Sequence, residues 1–464
     1  MSLVSSVSGR LRYWTSIAFG RITPANEGQQ RYRRIIHSTA MATVARGINL
    51  VVSFISVPLA VGYLGRDRYG IWITITSLLM FLSFADFGLG GSLQNALADA
   101  HGRQDRAQAQ RYVTNAFWLL VIIALVLWIP FAGGHRWIAA QLFSESPSSS
   151  TLAEASSAVL IAITIFFLNF PLNLYVQVLT AYQQRTIVNV CAIITSIGNL
   201  LAIVAVIALK GGLVWLVLAY SGCGLLVSII TSIWLYGHAK PWLKPSFGAV
   251  DVSLMRNLFG TGWMFLVTSV FWMVNLQTDN LIISHFLGPG EVTPYSIAYR
   301  LFSYAVIFQS FAVVALWPAY TEARARGDAA WIRRTFKANL IFSIVSSLPL
   351  TIVFIVFGQR IIQWWAGESA VPPFSLLIWM AIWNLMLATL SAGTFLLNAF
   401  GRLNGMIVYG TVTAIANICL SVILVQRWGV NGAVIASVFS VGLLSYLPVF
   451  FETKQALQRL STPS

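Results

Sequence analysis

Stretches of about 20 apolar residues recur along the whole chain, each long enough to cross a hydrocarbon core as a helix. Twelve stand out: 40–63, 70–92, 112–132, 155–181, 187–209, 212–236, 257–287, 294–318, 334–358, 373–400, 405–425 and 430–451. The connectors between them are short and leave no room for a soluble domain. The pattern predicts an all-α polytopic membrane protein. Composition agrees, because 57% of the residues are hydrophobic and only 9% charged, where a soluble domain carries about 25% charge.

The placement of Lys and Arg sets an orientation. With the N-terminus in the cytoplasm, both tails and the even-numbered connectors hold 21 of the 29 basic residues. The opposite connectors hold only Arg66, Arg68, Arg136, Lys210, Arg360 and Arg427. The net charge of +15 thus reads as topology and contact with anionic headgroups, not as nucleic-acid binding. Residues 1–39 are basic without a long apolar core, so no cleaved signal peptide is expected. Cys191, Cys223 and Cys419 all fall in spans, an odd number that argues against a disulfide framework or a metal site.

An internal duplication runs through the pattern. Leu64-Gly65 recurs as Leu287-Gly288, and Asp99-Ala100 with Arg103 and Asp105 recurs as Glu322-Ala323 with Arg326 and Asp328, all offset by 223 residues. Later matches, Asn199 with Asn417 and Gly211 with Gly429 among them, share an offset of 218. Six spans per half make the repeats parallel, with a site expected between them. The expected units are a basic N-terminal segment (1–39), a first six-helix lobe (40–237), a linker (238–256), a second six-helix lobe (257–451) and a tail (452–464). Pro58, Pro171 and Pro349 fall inside spans and are expected to bend helices or free carbonyls.

Ionisable side chains inside spans are costly and so mark functional candidates. Four qualify: Arg46, Asp86, Asp279 and Arg300. Their depths, roughly 9–12 Å from the nearer span ends at 1.5 Å per residue, match on consecutive spans and suggest two ion pairs, one per lobe. Three readings compete. The pairs lock helices together; or Arg46 and Arg300 face a cavity and grip phosphate in bidentate fashion; or Asp279, and less so Asp86, is an ion-coupling site that takes a proton or Na⁺. Polar stripes line up with them: Asn169, Asn173 and Gln177 at i, i+4, i+8; Asn275 and Asp279 at i, i+4 with Trp272 alongside; Arg300 and Tyr304 at i, i+4. Amides and aromatic rings suit a saccharide, though hydrogen bonding between helices explains the same stripes. Trp379 and Trp383 are further cavity candidates.

Val57-Pro58, Leu64-Gly65, Tyr69-Gly70 and Asp86-Phe87-Gly88-Leu89-Gly90 resemble the opening of Wzx-type oligosaccharide (O-antigen and exopolysaccharide repeat-unit) flippases. These belong to the polysaccharide transport branch of the multidrug/oligosaccharidyl-lipid/polysaccharide superfamily, and the resemblance extends over nearly the whole chain. It implies a MATE-like fold of two six-helix bundles around a cationic cavity. It implies transport of undecaprenyl-pyrophosphate-linked oligosaccharide to the periplasmic leaflet of the bacterial inner membrane by alternating access, both termini being cytoplasmic. It also implies arginine contact with the anionic headgroup, H⁺ or Na⁺ coupling without any bound cofactor, and partner polymerase and glycosyltransferases of the same pathway. Two alternatives remain: a cation-coupled multidrug antiporter of the same superfamily, and a membrane glycan polymerase. The second would need an extracytoplasmic catalytic loop, and the segment 133–154 holds one Arg and one His. No P-loop, HExxH or paired CxxC is present, so the chain is not expected to be an enzyme.

Overall fold

The computed structural model describes the backbone of residues 27–86, 88–144, 148–400 and 403–459. Side chains are described throughout these apart from 27–39, 84–85, 247, 261–276, 307–315, 317–318, 325, 403–404 and 406–407. Every element among the described residues is helical. The first half comprises α1 (Glu27–Leu82), α2 (Leu89–Gly102), α3 (Arg106–Gly133), α4 (His135–Leu142), α5 (Ser149–Leu172), α6 (Leu174–Ala181), α7 (Arg185–Ala208) and α8 (Leu213–Trp234). The second comprises α9 (Val252–Leu287), α10 (Pro289–Ala325), α11 (Ala329–Ala366), α12 (Phe374–Ala399), α13 (Leu403–Trp428), α14 (Val430–Val441) and α15 (Leu447–Arg459). Nine helical stretches among the described residues are long and apolar enough to span a membrane. One of them, Ala40–Leu82, is 43 residues long and turns at Gly65, so it contains the first expected span and the start of the second.

The duplication is visible in the backbone. Gly65 (φ 74°, ψ 177°) and Gly288 (φ 89°, ψ 160°) turn the chain at equivalent corners. Both occupy a region open to glycine alone, because a Cβ would clash with the backbone there. At the next pair of corners α2 and α10 end alike. Arg103 N bonds Asp99 O and Asp105 N bonds Ala100 O, while Arg326 N bonds Glu322 O and Asp328 N bonds Ala323 O, each at 3.0 Å. Asp105 and Asp328 then cap α3 and α11 through Gln108 N (2.9 Å) and Trp331 N (3.0 Å). Between these corners the halves differ. Residues 289–325 form one helix, whereas 66–102 is broken by a 3₁₀ turn at Ser83–Asp86 and by Gly88 at φ 72°.

Large apolar side chains on the perimeter, including Val51, Val126, Ile129, Leu201, Ile230 and Val356, are more than half exposed. Such a surface is stable only against lipid, so the chain is a multi-pass membrane protein. Its two faces are defined by their loops. On the corner face, Arg68 pairs with Glu154 (2.9 Å) and Tyr63 donates to Gly211 O (2.8 Å). On the linker face, Arg111 pairs with Asp251 (2.8 Å) and the Lys240 ammonium lies 4.0 Å from the centre of the Tyr182 ring. Burial pushes the Lys240 ammonium below its ordinary value, which is the cost of pinning the linker there.

Of the prolines, Pro171 behaves as expected. The helix ends at Leu172 and resumes at Leu174 beyond Asn173. Pro58 lies inside α1, whose break in helical geometry comes at Gly65 instead.

Candidate functional site

A cavity of about 220 Å³ lies between the two halves. From the first half it takes Ile73, Thr76, Ser77 and Met80 of α1; from the second, Gln277 and Asn280 of α9 and Tyr295, Ser296, Tyr299, Arg300 and Ser303 of α10. The α1 set and four of the α10 residues are repeat equivalents at the 223-residue offset: Ile73 with Ser296, Thr76 with Tyr299, Ser77 with Arg300, Met80 with Ser303. The cavity is therefore lined by equivalent stretches of the two repeats. One face of a helix, used twice, builds both walls, but only the second copy carries the cation and both tyrosines. Asn280 Nδ2 donates to Ser77 Oγ (2.9 Å), tying the two walls together.

Arg300 is half-buried and lines this cavity. Among the described residues its guanidinium meets no carboxylate within ion-pair distance. The pair with Asp279 expected from matching depth does not form. Depth places two residues at one level of the bilayer but says nothing of which helix face each occupies, and here the faces differ. An unneutralised guanidinium in a span is tolerated where water or an anion reaches it, and the cavity supplies that access.

Asp279 points away from the cavity into the second half, only 7% exposed. Three hydroxyls donate to its carboxylate: Tyr295 (2.6 Å), Ser437 (3.2 Å) and Ser421 (3.4 Å). They come from α10, α14 and α13, so one carboxylate gathers four helices. Asn417 extends the network by donating to Ser437 Oγ (3.0 Å) and Ser440 Oγ (3.2 Å), while its own Oδ1 is buried without a donor. The first half has nothing like it. Ser56, Trp72, Ile203 and Ala219 stand at the positions equivalent to Asp279, Tyr295, Ser421 and Ser437. Tyr295 belongs to both sites, since it lines the cavity and donates to Asp279.

The remaining candidates lie elsewhere. Arg46 is exposed on α1 and does not line the cavity. Asp86 sits in the break between α1 and α2 and accepts from Gly88 N (2.9 Å) and Gly90 N (3.4 Å), so it caps the start of α2. The stripe of Asn169, Asn173 and Gln177 is interrupted by the break at Asn173. Asn173 is exposed, Asn169 Oδ1 is buried without a donor, and Gln177 lies against Gly90, where a Cβ would fall 2.8 Å from its Nε2. Tyr304 packs edge-on to Trp365 at 6.3 Å. Trp383 is buried in the core and Trp379 lies against Phe439. The side chains of Trp272 and Asn275 lie outside the described residues. The sequence reading passed over Ser77, Asn280, Tyr295 and Tyr299; for Ser77 and Tyr299 a signal was available in the repeat, since mapping Arg300 back by 223 residues lands on Ser77, and Tyr299 on Thr76.

Comparison with solved structures places this arrangement among transporters of similar shape. The chain superposes on an inward-facing multidrug resistance MATE family transporter of the MOP superfamily with TM-score 0.75 and 12% identity, covering 91% of this chain and 99% of that one. An outward-facing MATE family transporter gives 0.62 at 11% identity, covering 93% and 97%. The lipid II flippase MurJ in an inward closed conformation gives 0.73 at 16% identity, covering 91% and 90%. By sequence, a Salmonella typhimurium protein named for O-antigen transport is 22% identical over 315 residues, 67% of this chain and 70% of that one. A Yersinia pseudotuberculosis protein named for O-antigen export is 21% identical over 432 residues, 89% and 95%. The family profile described as polysaccharide biosynthesis protein matches residues 35–324, a span that takes in the glycine corners at Gly65 and Gly288, the cavity and Asp279, and the chain belongs to that family.

Proposed function

We propose that this protein is a flippase carrying undecaprenyl-pyrophosphate-linked oligosaccharide from the cytoplasmic to the periplasmic leaflet of the bacterial inner membrane. Lobes 40–237 and 257–451 rock about the cavity, and both termini and the linker face the cytoplasm. The observation that carries the reading is Arg300: a guanidinium with no carboxylate at ion-pair distance among the described residues, in a polar cavity between the repeats. A diphosphate entering hydrocarbon without a compensating cation faces a prohibitive solvation cost. Arg300 meets it with a planar fork of donors that matches two phosphate oxygens. Binding pockets for whole ligands hold about 300–1,000 Å³, so the cavity of about 220 Å³ takes the diphosphate and leaves the glycan in the space between the lobes. Tyr295, Tyr299, Asn280 and Gln277 offer rings and amides to the first sugar. The relatives named for O-antigen transport and export support this substrate class.

Asp279 supplies the coupling. A carboxylate ringed by hydroxyls takes a proton, or with the free Asn417 Oδ1 forms an all-oxygen set for Na⁺. Tyr295 connects this site to the cavity, so a change at Asp279 alters the wall beside Arg300. A multidrug antiporter would want a carboxylate facing its cavity, and here the cavity presents a cation.

The test is complementation in a strain whose own flippase is deleted, scored by surface glycan, with protein amount measured in the membrane. Arg300→Ala is expected to abolish glycan export and Arg300→Lys to restore part of it. Full export by Arg300→Ala at normal abundance overturns the reading.

A further inference from the structure

The cavity between the halves has a roomier neighbour elsewhere in the molecule. About 440 Å³ of space lies on the outside of the second half, between α11, α12 and α15, toward the linker face. Its wall is graded. Arg333 and Lys454 stand at the outer end; Leu340, Leu390 and Tyr446 line the inner end. At 1.5 Å per residue, Leu340 lies about 10 Å deeper than Arg333, and Tyr446 about 12 Å deeper than Lys454. No carboxylate among the described residues lines the cavity, and Glu452, next to Thr453 on the same turn, accepts from the Tyr409 hydroxyl at 3.0 Å. Arg333 reaches across from α11 to α15, donating to Leu457 O at 3.1 Å. Inside, the Thr453 hydroxyl is buried, on a residue only 4% exposed, and has no hydrogen-bond partner.

We infer that this cavity is a binding site for one anionic glycerophospholipid of the surrounding bilayer, its phosphodiester held by Arg333 and Lys454 and an acyl chain lying along Leu340 and Leu390. The order of chemistry along the wall is that of such a lipid: cations at headgroup depth, then the Thr453 hydroxyl at the depth of the ester groups, then a mostly apolar inner wall whose Thr389 hydroxyl is already turned to Leu385 O. Basic pockets between helices recognise headgroups in this way. The unsatisfied Thr453 hydroxyl asks for an acceptor, which a glycerol ester carbonyl supplies. A bound lipid would fix the end of α15 against α11, where Arg333 already donates a hydrogen bond to Leu457 O. The site faces lipid rather than the other half and is independent of the transport reading.

The test is native mass spectrometry of the full-length protein in detergent, titrated with phosphatidylglycerol, phosphatidylcholine and inorganic phosphate in separate series. One saturable phosphatidylglycerol adduct is expected, tighter than the phosphatidylcholine adduct. Arg333→Ala with Lys454→Ala should weaken phosphatidylglycerol about 30-fold, equivalent to about 2 kcal/mol for two interfacial cations, and leave phosphatidylcholine unchanged. Leu340→Trp fills the inner end while keeping both cations, and it too should weaken phosphatidylglycerol. The proposal is overturned if neither variant changes phosphatidylglycerol affinity, if phosphatidylcholine binds equally well to the unmodified protein, or if inorganic phosphate displaces the lipid at matching concentration. Displacement by a polyprenyl diphosphate at lower concentration than phosphatidylglycerol also overturns it, since the cavity would then belong to the transported substrate.

Discussion

Asp279 shows how much one carboxylate can organise through hydroxyl donors. Burying it would cost several kcal/mol if its oxygens lacked donors, and hydroxyls from Tyr295, Ser421 and Ser437 supply them from three helices. Each hydroxyl can turn about its C–O bond, donating to a carboxylate in one state and offering a lone pair to a bound proton or cation in another. An arginine partner would have frozen the group in its charged form. Asp279→Asn keeps the shape and removes the charge, so it separates coupling from packing. Reconstituted Asp279→Asn protein is expected to bind substrate near normally yet lose the stimulation of transport by an imposed proton or Na⁺ gradient. An unchanged response to both gradients would remove Asp279 from the mechanism. Tyr295→Phe, which deletes the hydroxyl shared between cavity and network, should reduce that stimulation while sparing protein abundance. Sequence reading found Asp279 and Arg300 because charge in a span is rare. It paired them because linear depth was the only geometry available. Their true surroundings come from helix faces and, for Asp279, from Ser421 and Ser437, 142 and 158 residues further on in the chain.

The elements themselves were largely legible. Apolar runs of bilayer length became helices, and the repeated Leu-Gly and Asp/Glu-Ala pairs became matching corners with matching caps. Those pairs are short because a corner needs few residues: one glycine for the turn and one aspartate for the next helix. The break at Ser83–Gly88 was not legible, since Asp86 in an apolar run reads as a buried charge rather than as a cap. The corners make a controlled prediction. Gly65→Ala and Gly288→Ala place a Cβ on a backbone that only glycine adopts comfortably, and each should destabilise the protein by about 1–3 kcal/mol. Gly62, three residues before the first corner, is helical, with nothing within 4 Å of where a Cβ would stand. Gly62→Ala should be neutral or stabilising by up to about 1 kcal/mol. Thermal unfolding in one detergent compares the three variants. Equal melting temperatures would show that the corners are not strained in the way their dihedral angles indicate.

At the scale of the molecule, the polar links between the halves gather on the corner face. Arg66 pairs with Glu291 (2.5 Å), Arg66 Nε donates to Gly290 O (3.0 Å), and Thr293 Oγ1 donates to Arg66 O (2.6 Å). Ser284 donates to Leu142 O (2.7 Å), and Trp365 Nε1 donates to Phe54 O (2.8 Å). Beside them the backbone of Gly70 touches Pro289 so closely that any Cβ would overlap its carbonyl. The halves are thus closed at this end. Opening toward the corner face must break this set, and the cavity at Arg300 lies just beyond it along α10. The Arg66–Glu291 pair is about 40% exposed on both sides, so solvent screening limits its worth to roughly 1 kcal/mol or less. That is enough to bias two nearly balanced conformations without locking either. Glu291→Arg should raise the ratio of open to closed forms at the corner face by up to about 5-fold, and Arg66→Glu added to it should return the ratio toward the original. The measurement is the rate at which a cysteine placed at Ser77, on the cavity wall, reacts with a membrane-impermeant maleimide added from the corner-face side. A faster rate in the single variant that falls back in the double variant identifies the pair as part of the closure. A double variant that stays fast shows that the Arg66 Nε bond to Gly290 O, which glutamate cannot make, matters more than the charge pair.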